Sequence, residues 1–346
     1  MEKSGASSYI YAKASGMLKK AFIGENAEKL FNADSLSSLW ELVFKSPVPL
    51  IPEAMLATQI EKDAVNLFVK EYIKLLEVFD HPSPFLIELL NRYEIENIKA
   101  ITAALSYGEQ NHPHCVNLGK YSSLHYEKWP DLKAITSDSD LKWIQNIPKN
   151  AETRQKTDFQ LDLYEIQALW NSLKTIHDES RQVLTDYFTK ELAINNLIWA
   201  LRLKVYYNFS DEKIIENLYY VSDKASSSDP ICGYAFDIFG LKTDSYDDWR
   251  KWKFAKYLNP HEEGVVWKIN PMWLEQRFKT MAIGREKRIF HQYPMTEANL
   301  AMFFRLKQQE LNYIRAATES LRLGSDKNEA MYIAGLSDQF AEGENG

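Results

Sequence analysis

Cysteine is scarce in this chain: Cys115 and Cys232 are the only two in 346 residues. Two thiols cannot build a disulfide framework, and they point to a reducing compartment. Long apolar runs are missing too. No window approaches the roughly 18 apolar residues that span a bilayer. The opening MEKSGASSYIYAKASG has neither an apolar core nor a cleavage pattern, so a soluble chain without a signal peptide is expected. Positive charge is not in excess. The formal net charge is −7, which argues against general nucleic-acid binding.

The motifs of common chemistries are absent as well. The sequence has no G-x-x-x-x-G-K-[ST] loop, no G-x-S-x-G, no H-E-x-x-H and no C-x-x-C. These absences exclude the usual phosphate cradle, nucleophile elbow, zinc protease helix and redox pair. One cluster has zinc-capable side chains: His112, His114 and Cys115, with His125 further on. Its spacing matches no established metal pattern, and it lies in a polar, turn-rich segment, so a solvated turn is the better account. A metal-dependent enzyme built on it is the weakest of three readings. No cofactor and no catalytic residues are expected.

What the sequence does contain is helical periodicity. Ser35, Ser83-Pro84, Asp140, Ser210 and Thr296 each stand before an apolar-periodic stretch, where a side-chain oxygen can meet the free N–H groups of a first turn. The longest helical region runs from about Asp158 to Phe209, with a break near His177–Ser180. Alternation at strand lengths is scarce, and no hairpin turn stands out. An all-α chain is expected. Polar segments at Tyr107–Ser123 and Ser222–Tyr234 divide it into three parts. The expected units are 1–118, 119–230 and 231–346, the last ending in a frayed tail, AEGENG.

The three parts repeat one another. In YEIENIKAITAAL (Tyr93–Leu105), Ile95, Ile98, Ile101, Thr102 and Leu105 share one helical face. Glu94 falls inside that face and Asn97 at its edge. In QQELNYIRAATESLRLG, Glu310 takes the place of Glu94, Arg315 that of Lys99, and Tyr313 that of Asn97. The middle copy, KELAINNLIWALRLK, keeps Asn196 but has Ala193 at the acidic position. The segments QIEKDAVNLF, DFQLDLYEIQAL and MWLEQRFKTM precede the three copies. A Glu on a buried face needs a partner, expected from a neighbouring helix or the next unit. Glu94, Asn97, Lys99, Asn196, Arg202, Glu310 and Arg315 are therefore candidates for structural contacts between units. A basic run at Arg277, Lys279, Arg285, Lys287 and Arg288 reads as one solvated helix face, or else as a docking surface for an acidic partner.

The order of these features resembles a known family. Tyr9, Ala12-Lys13, Asp34-Ser35-Leu36 and Ser46-Pro47 stand where the C subunits of V-type (A-type) ATPases, named d in eukaryotes, open. Glu94-Ile95-Glu96-Asn97-Ile98-Lys99 is similar to that family's E-I-x-N-L-R helix. Tyr293-Pro294-Met295-Thr296, Lys307, Glu310-Leu311 and Arg315 resemble its third-unit version. Tyr313, Ala193 and Ala103-Ala104-Leu105 depart from the pattern and mark a divergent branch. The resemblance implies three helical units around a pseudo-threefold axis, forming a funnel without an active site. It implies a rotor subunit on the cytoplasmic face of a membrane, between the central-stalk subunits and the proteolipid ring, in ATP-linked proton or sodium transport. The alternative is a free-standing helical-repeat adaptor that binds other proteins, with an open concave face and capped ends.

Overall fold

The computed structural model of the chain describes residues 3–262 and 264–336, and the tail AEGENG lies outside them. Among the described residues every regular element is helical. The principal helices are α1 (Lys3–Leu18), α2 (Leu36–Phe44), α3 (Glu53–Leu76), α4 (Pro84–Tyr107), α5 (Ala151–Ser172), α6 (Arg181–Tyr206), α7 (Pro271–Gln292), α8 (Glu297–Leu323) and α9 (Lys327–Ile333). QIEKDAVNLF falls in α3, DFQLDLYEIQAL in α5 and MWLEQRFKTM in α7.

Most starts follow the side-chain chemistry. Ser35 and Ser38 form a reciprocal capping box before α2. Ser83 accepts the Leu86 N–H, with Pro84 as the first helical residue of α4. Ser210 accepts the Lys213 N–H. Thr296 precedes α8, but its hydroxyl donates to the Tyr293 carbonyl instead of capping. The helix expected after Asp140 does not form. The Ser139 hydroxyl takes the Leu141 N–H, Pro148 follows closely, and the intervening stretch is too short to sustain a helix by itself. Gly108 and Gly324 end α4 and α8 in the left-handed conformation, which a residue without Cβ adopts at no steric cost.

Short connections fold α3/α4, α5/α6 and α7/α8 into antiparallel hairpins. The break expected near His177–Ser180 is the turn between α5 and α6. Between hairpins, α4 packs on α5, α6 on α7, and α8 on α3. The contacts thus return to the hairpin from which they began. The end of α4 lies beside the start of α5, where Arg154 donates to the Tyr107 hydroxyl. The end of α6 likewise meets the start of α7 through Arg202 and Glu275. The starts of α3, α5 and α7 therefore share one end of the molecule, and the hairpin tips share the other.

The cores follow this division. At the tip end one cluster joins all three hairpins: Phe68, Tyr72, Phe85, Phe188, Phe290 and Phe304. Each of these aromatic side chains is almost fully buried, worth roughly 1.5–3 kcal/mol apiece. At the other end the core splits into three. Ile95, Ile98 and Ile101 pack on Leu124, Ile135 and Leu141. Leu197 and Leu201 pack on Trp249, Trp252 and Trp267. Leu306, Ile314 and Ala317 pack on Leu30, Leu39 and Trp40. The first two hairpins are capped by the chain that follows them. The third is capped by the N-terminal segment, together with α9.

Candidate functional site

The repeated amides and acids lie where a hairpin meets its cap. Asn97 is buried. Its Oδ1 accepts the Val116 N–H at 2.7 Å and its Nδ2 donates to the Val116 carbonyl at 2.8 Å. The second Nδ2 proton goes to the Tyr126 hydroxyl. Asn196 repeats this on α6. It accepts from the Tyr219 N–H at 3.1 Å and donates to the Tyr219 and Ile231 carbonyls. An amide is suited to this task because it carries a donor and an acceptor side by side, the pattern of backbone itself. The third copy has Tyr313 at this place, also buried.

The acids serve the same end by a different route. Glu94 is 6% exposed. Its carboxylate accepts from the N–H groups of Ser123 and Leu124 and from the Ser122 and Ser123 hydroxyls. The partner of Glu94 is thus a loop and not a helix, and it lies just past the boundary expected between residues 118 and 119. Free amides and hydroxyls of the following loop satisfy the charge, as they can wherever a turn leaves its donors unpaired. Glu310 accepts the Phe22 N–H at 2.7 Å and pairs with Lys307, which also reaches Glu71 at 3.3 Å.

The middle copy lacks the helix acid, and Asp229 in its loop supplies one. Its carboxylate accepts from the N–H groups of Val221, Ser222, Ile231 and Cys232. Burial by itself raises this carboxyl, but the backbone donors outweigh it and hold it below the ordinary value. Sequence patterning does not single out Asp229, because it sits in the linker instead of on the repeated helix.

The basic candidates run between hairpins. Lys99 on α4 pairs with Asp162 on α5 at 2.5 Å. Arg202 on α6 pairs with Glu275 on α7, and Arg315 on α8 with Glu61 on α3 at 3.3 Å. Each packing contact between neighbouring hairpins thus carries at least one pair of a cation from a second helix and a carboxylate from a first helix, and the contact of α8 with α3 adds Lys307 and Glu71. The repeat does not point to these acids, yet a signal is there: Ile60-Glu61, Leu161-Asp162 and Leu274-Glu275 each place an acid directly after a fully buried aliphatic residue. Ile98-Lys99, Leu201-Arg202 and Ile314-Arg315 do the same for the bases. Measured from the buried asparagines, the base in α6 stands one turn later than in α4.

Where α4, α5, α6 and α8 diverge they line a cleft, open to solvent, of about 310 Å3. Its wall carries Glu88, Arg92, Glu165, Glu191 and Arg305. Burial pushes the Glu88 carboxyl up to about 7, against a hydrogen bond from Asn91.

The zinc-capable side chains take ordinary partners. His125 meets Asp138 and Glu127, and His112 lies edge-on to Tyr126 and Trp129. Among the described residues no three potential ligands converge on one point. Burial raises both the Cys115 and Cys232 thiols to about 11, which keeps them unreactive. The basic run does not form one free face: Arg277 lies over Trp273, Lys279 pairs with Glu275, and Arg285 lies over Tyr187.

A protein of Treponema pallidum (strain Nichols), described as uncharacterized, is 25% identical to this chain over 335 residues, spanning 94% of this chain and 95% of that protein. The sequence profile of the ATP synthase (C/AC39) subunit family matches residues 10–331. That span holds all six hairpin helices and most of their three caps, and the chain belongs to the ATP synthase (C/AC39) subunit family.

Proposed function

We propose that this chain is the non-catalytic rotor subunit that joins the central stalk of a V/A-type rotary ATPase to its membrane proteolipid ring. Family membership sets the complex. The observation that carries the finer reading is the contact of α8 with α3, through which the last hairpin returns to the first. A free-standing solenoid leaves its terminal hairpins apart, so closure favours the coupling role over the adaptor.

In this reading the chain is a funnel of three similar units, 1–118, 119–230 and 231–346, about a pseudo-threefold axis. The shared tip core forms the narrow end, and the three separate caps form the wide one. One core at one end and three at the other support that taper. A coupling must pass torque without deforming. Ion pairs between adjacent hairpins and buried clamps within each cap suit that demand better than mobile hinges. No helix among the described residues is long and apolar enough to cross a membrane, so in this role the chain sits peripherally, on the cytoplasmic face, and reaches the bilayer through its partners.

The test is affinity purification of the tagged chain from its native cell, from membranes solubilised in mild detergent. Mass spectrometry is expected to recover the stalk subunits, the proteolipid and the nucleotide-binding subunits. Recovery of soluble partners without any ATPase component would overturn the coupling role.

A further inference from the structure

One buried acid takes no part in the caps or in the pairs between hairpins. Glu286 lies on α7 where it packs against α6 and α8, and it is 6% exposed. Its Oε1 accepts the Tyr187 hydroxyl of α6 at 2.5 Å. Its Oε2 is buried and has no hydrogen-bond partner among the described residues.

The groups around it do not supply a dedicated cation. From α6 come Tyr187 and Glu191, and the Glu191 charge opposes ionisation of Glu286. From α8 come Arg305 and Tyr313. Arg305 favours the ionised form, but it is already paired with Glu191 at 2.9 Å. On α7 itself, Arg285 lies over the Tyr187 ring, and Lys287 reaches toward the backbone at Gly24. A neutral carboxyl fits this place. An ionised one has a single hydrogen bond and a carboxylate as neighbour, and an uncompensated buried charge destabilises the packing that surrounds it.

We propose that Glu286 makes the α6–α7–α8 joint responsive to protons: the closed joint holds the carboxyl neutral, opening lets it ionise in water, and the joint loosens as protons become scarce. The inference concerns the joint alone and does not depend on the coupling role. Burial is the main cause that pushes the Glu286 carboxyl up to about 7, followed by the opposing Tyr187 hydrogen bond and then the Glu191 charge. The joint therefore responds between the ordinary carboxylate value of 4.5 and about 7. A folded-state value above the unfolded one means that opening releases a proton as pH rises. Opening becomes easier by up to about tenfold per pH unit through that window and levels off above it. In the proposed funnel the joint sets how the third hairpin stands against the second.

The experiment is native-state hydrogen exchange of the full chain between pH 5 and 8.5, followed in peptides of α6, α7 and α8 and normalised to intrinsic exchange rates. In the wild type the opening constant of these helices is expected to climb from pH 5 to about 7 and then level off. Glu286→Gln is expected to abolish the climb in these peptides, while those of α3 and α4 behave as in the wild type. A wild type without the climb, or a Gln variant that retains it, overturns the proposal. Tyr187→Phe provides a second arm should the Gln variant fail to fold. Tyr187 donates to the ionised form, so its loss is expected to move the plateau to higher pH. A plateau that stays in place overturns the proposal.

Discussion

The side chain of Asn97 pairs with both backbone polar groups of Val116, accepting from its N–H and donating to its carbonyl. Asn196 treats Tyr219 in the same way. The two asparagines occupy the same register of successive hairpins and clamp segments that otherwise share no sequence. Replacing Asn97 by Ala leaves the Val116 pair without partners. Urea denaturation is expected to report a loss of roughly 1–3 kcal/mol, and Asn196→Ala a similar one. A loss within error of zero in both would mean that water replaces the clamp at no cost.

Asp229 ties stability to acid. Its folded-state carboxyl is held below the ordinary value, so it stabilises the fold above the unfolded pKa and stops doing so as pH falls through the folded one. Asp229→Asn is expected to be less stable than the wild type at pH 7. The two midpoints are expected to converge in acid, below about pH 4. A constant gap across that range would assign the loss to geometry instead of charge.

The ion pairs between hairpins can be tested by double-mutant cycles. Lys99 and Asp162 are 20% and 30% exposed, and a coupling of about 1 kcal/mol is expected between Lys99→Ala and Asp162→Ala. Arg315 and Glu61 are more open to solvent, at 57% and 28%. Their coupling is expected nearer the low end of the ~0.2–1 kcal/mol range and should fade in high salt. The exchanged pair Arg315→Glu with Glu61→Arg should recover most of what either reversal loses.

Glu310 holds the N-terminal segment on the third hairpin through the Phe22 N–H and stands against Lys307. Glu310→Gln keeps the shape but removes the charge. Limited proteolysis is expected to cut the variant between Ala21 and Asp34 faster than the wild type. Equal rates would mean that the apolar contacts of Leu30 and Leu39 hold the segment unaided.

How much of this is legible in the sequence follows from where the information sits. The helices and their hairpin order are readable because amphipathic spacing and capping residues are local. Glu94, Asn97, Lys99 and their counterparts stand out because they repeat on a regular helix. Their partners do not. Val116, Ser123, Tyr219 and Phe22 contribute backbone groups, which any residue type possesses, so no pattern points to them. Asp229 compensates for Ala193 from a different element, and such exchanges are visible only in three dimensions. The acids of the first helices are within reach, since each follows a buried aliphatic residue. Finding them requires all three first helices to be aligned as closely as the second ones.

Two of the three contacts between hairpins are also bridged by the chain itself, through residues 108–150 and 207–270. The contact of α8 with α3 is not. Among the described residues no direct connection runs from one to the other, and the N-terminal segment, which leads into α3, reaches α8 by packing alone. The round of contacts between hairpins thus has one seam. Outward strain spread evenly over the three contacts is expected to part the seam first, because only there does no intervening cap, continuous with both hairpins, limit how far they separate. A permuted chain that begins in the Ser222–Asp229 loop and joins the old ends is expected to relocate the seam to the second contact, and with it the place that gives way first.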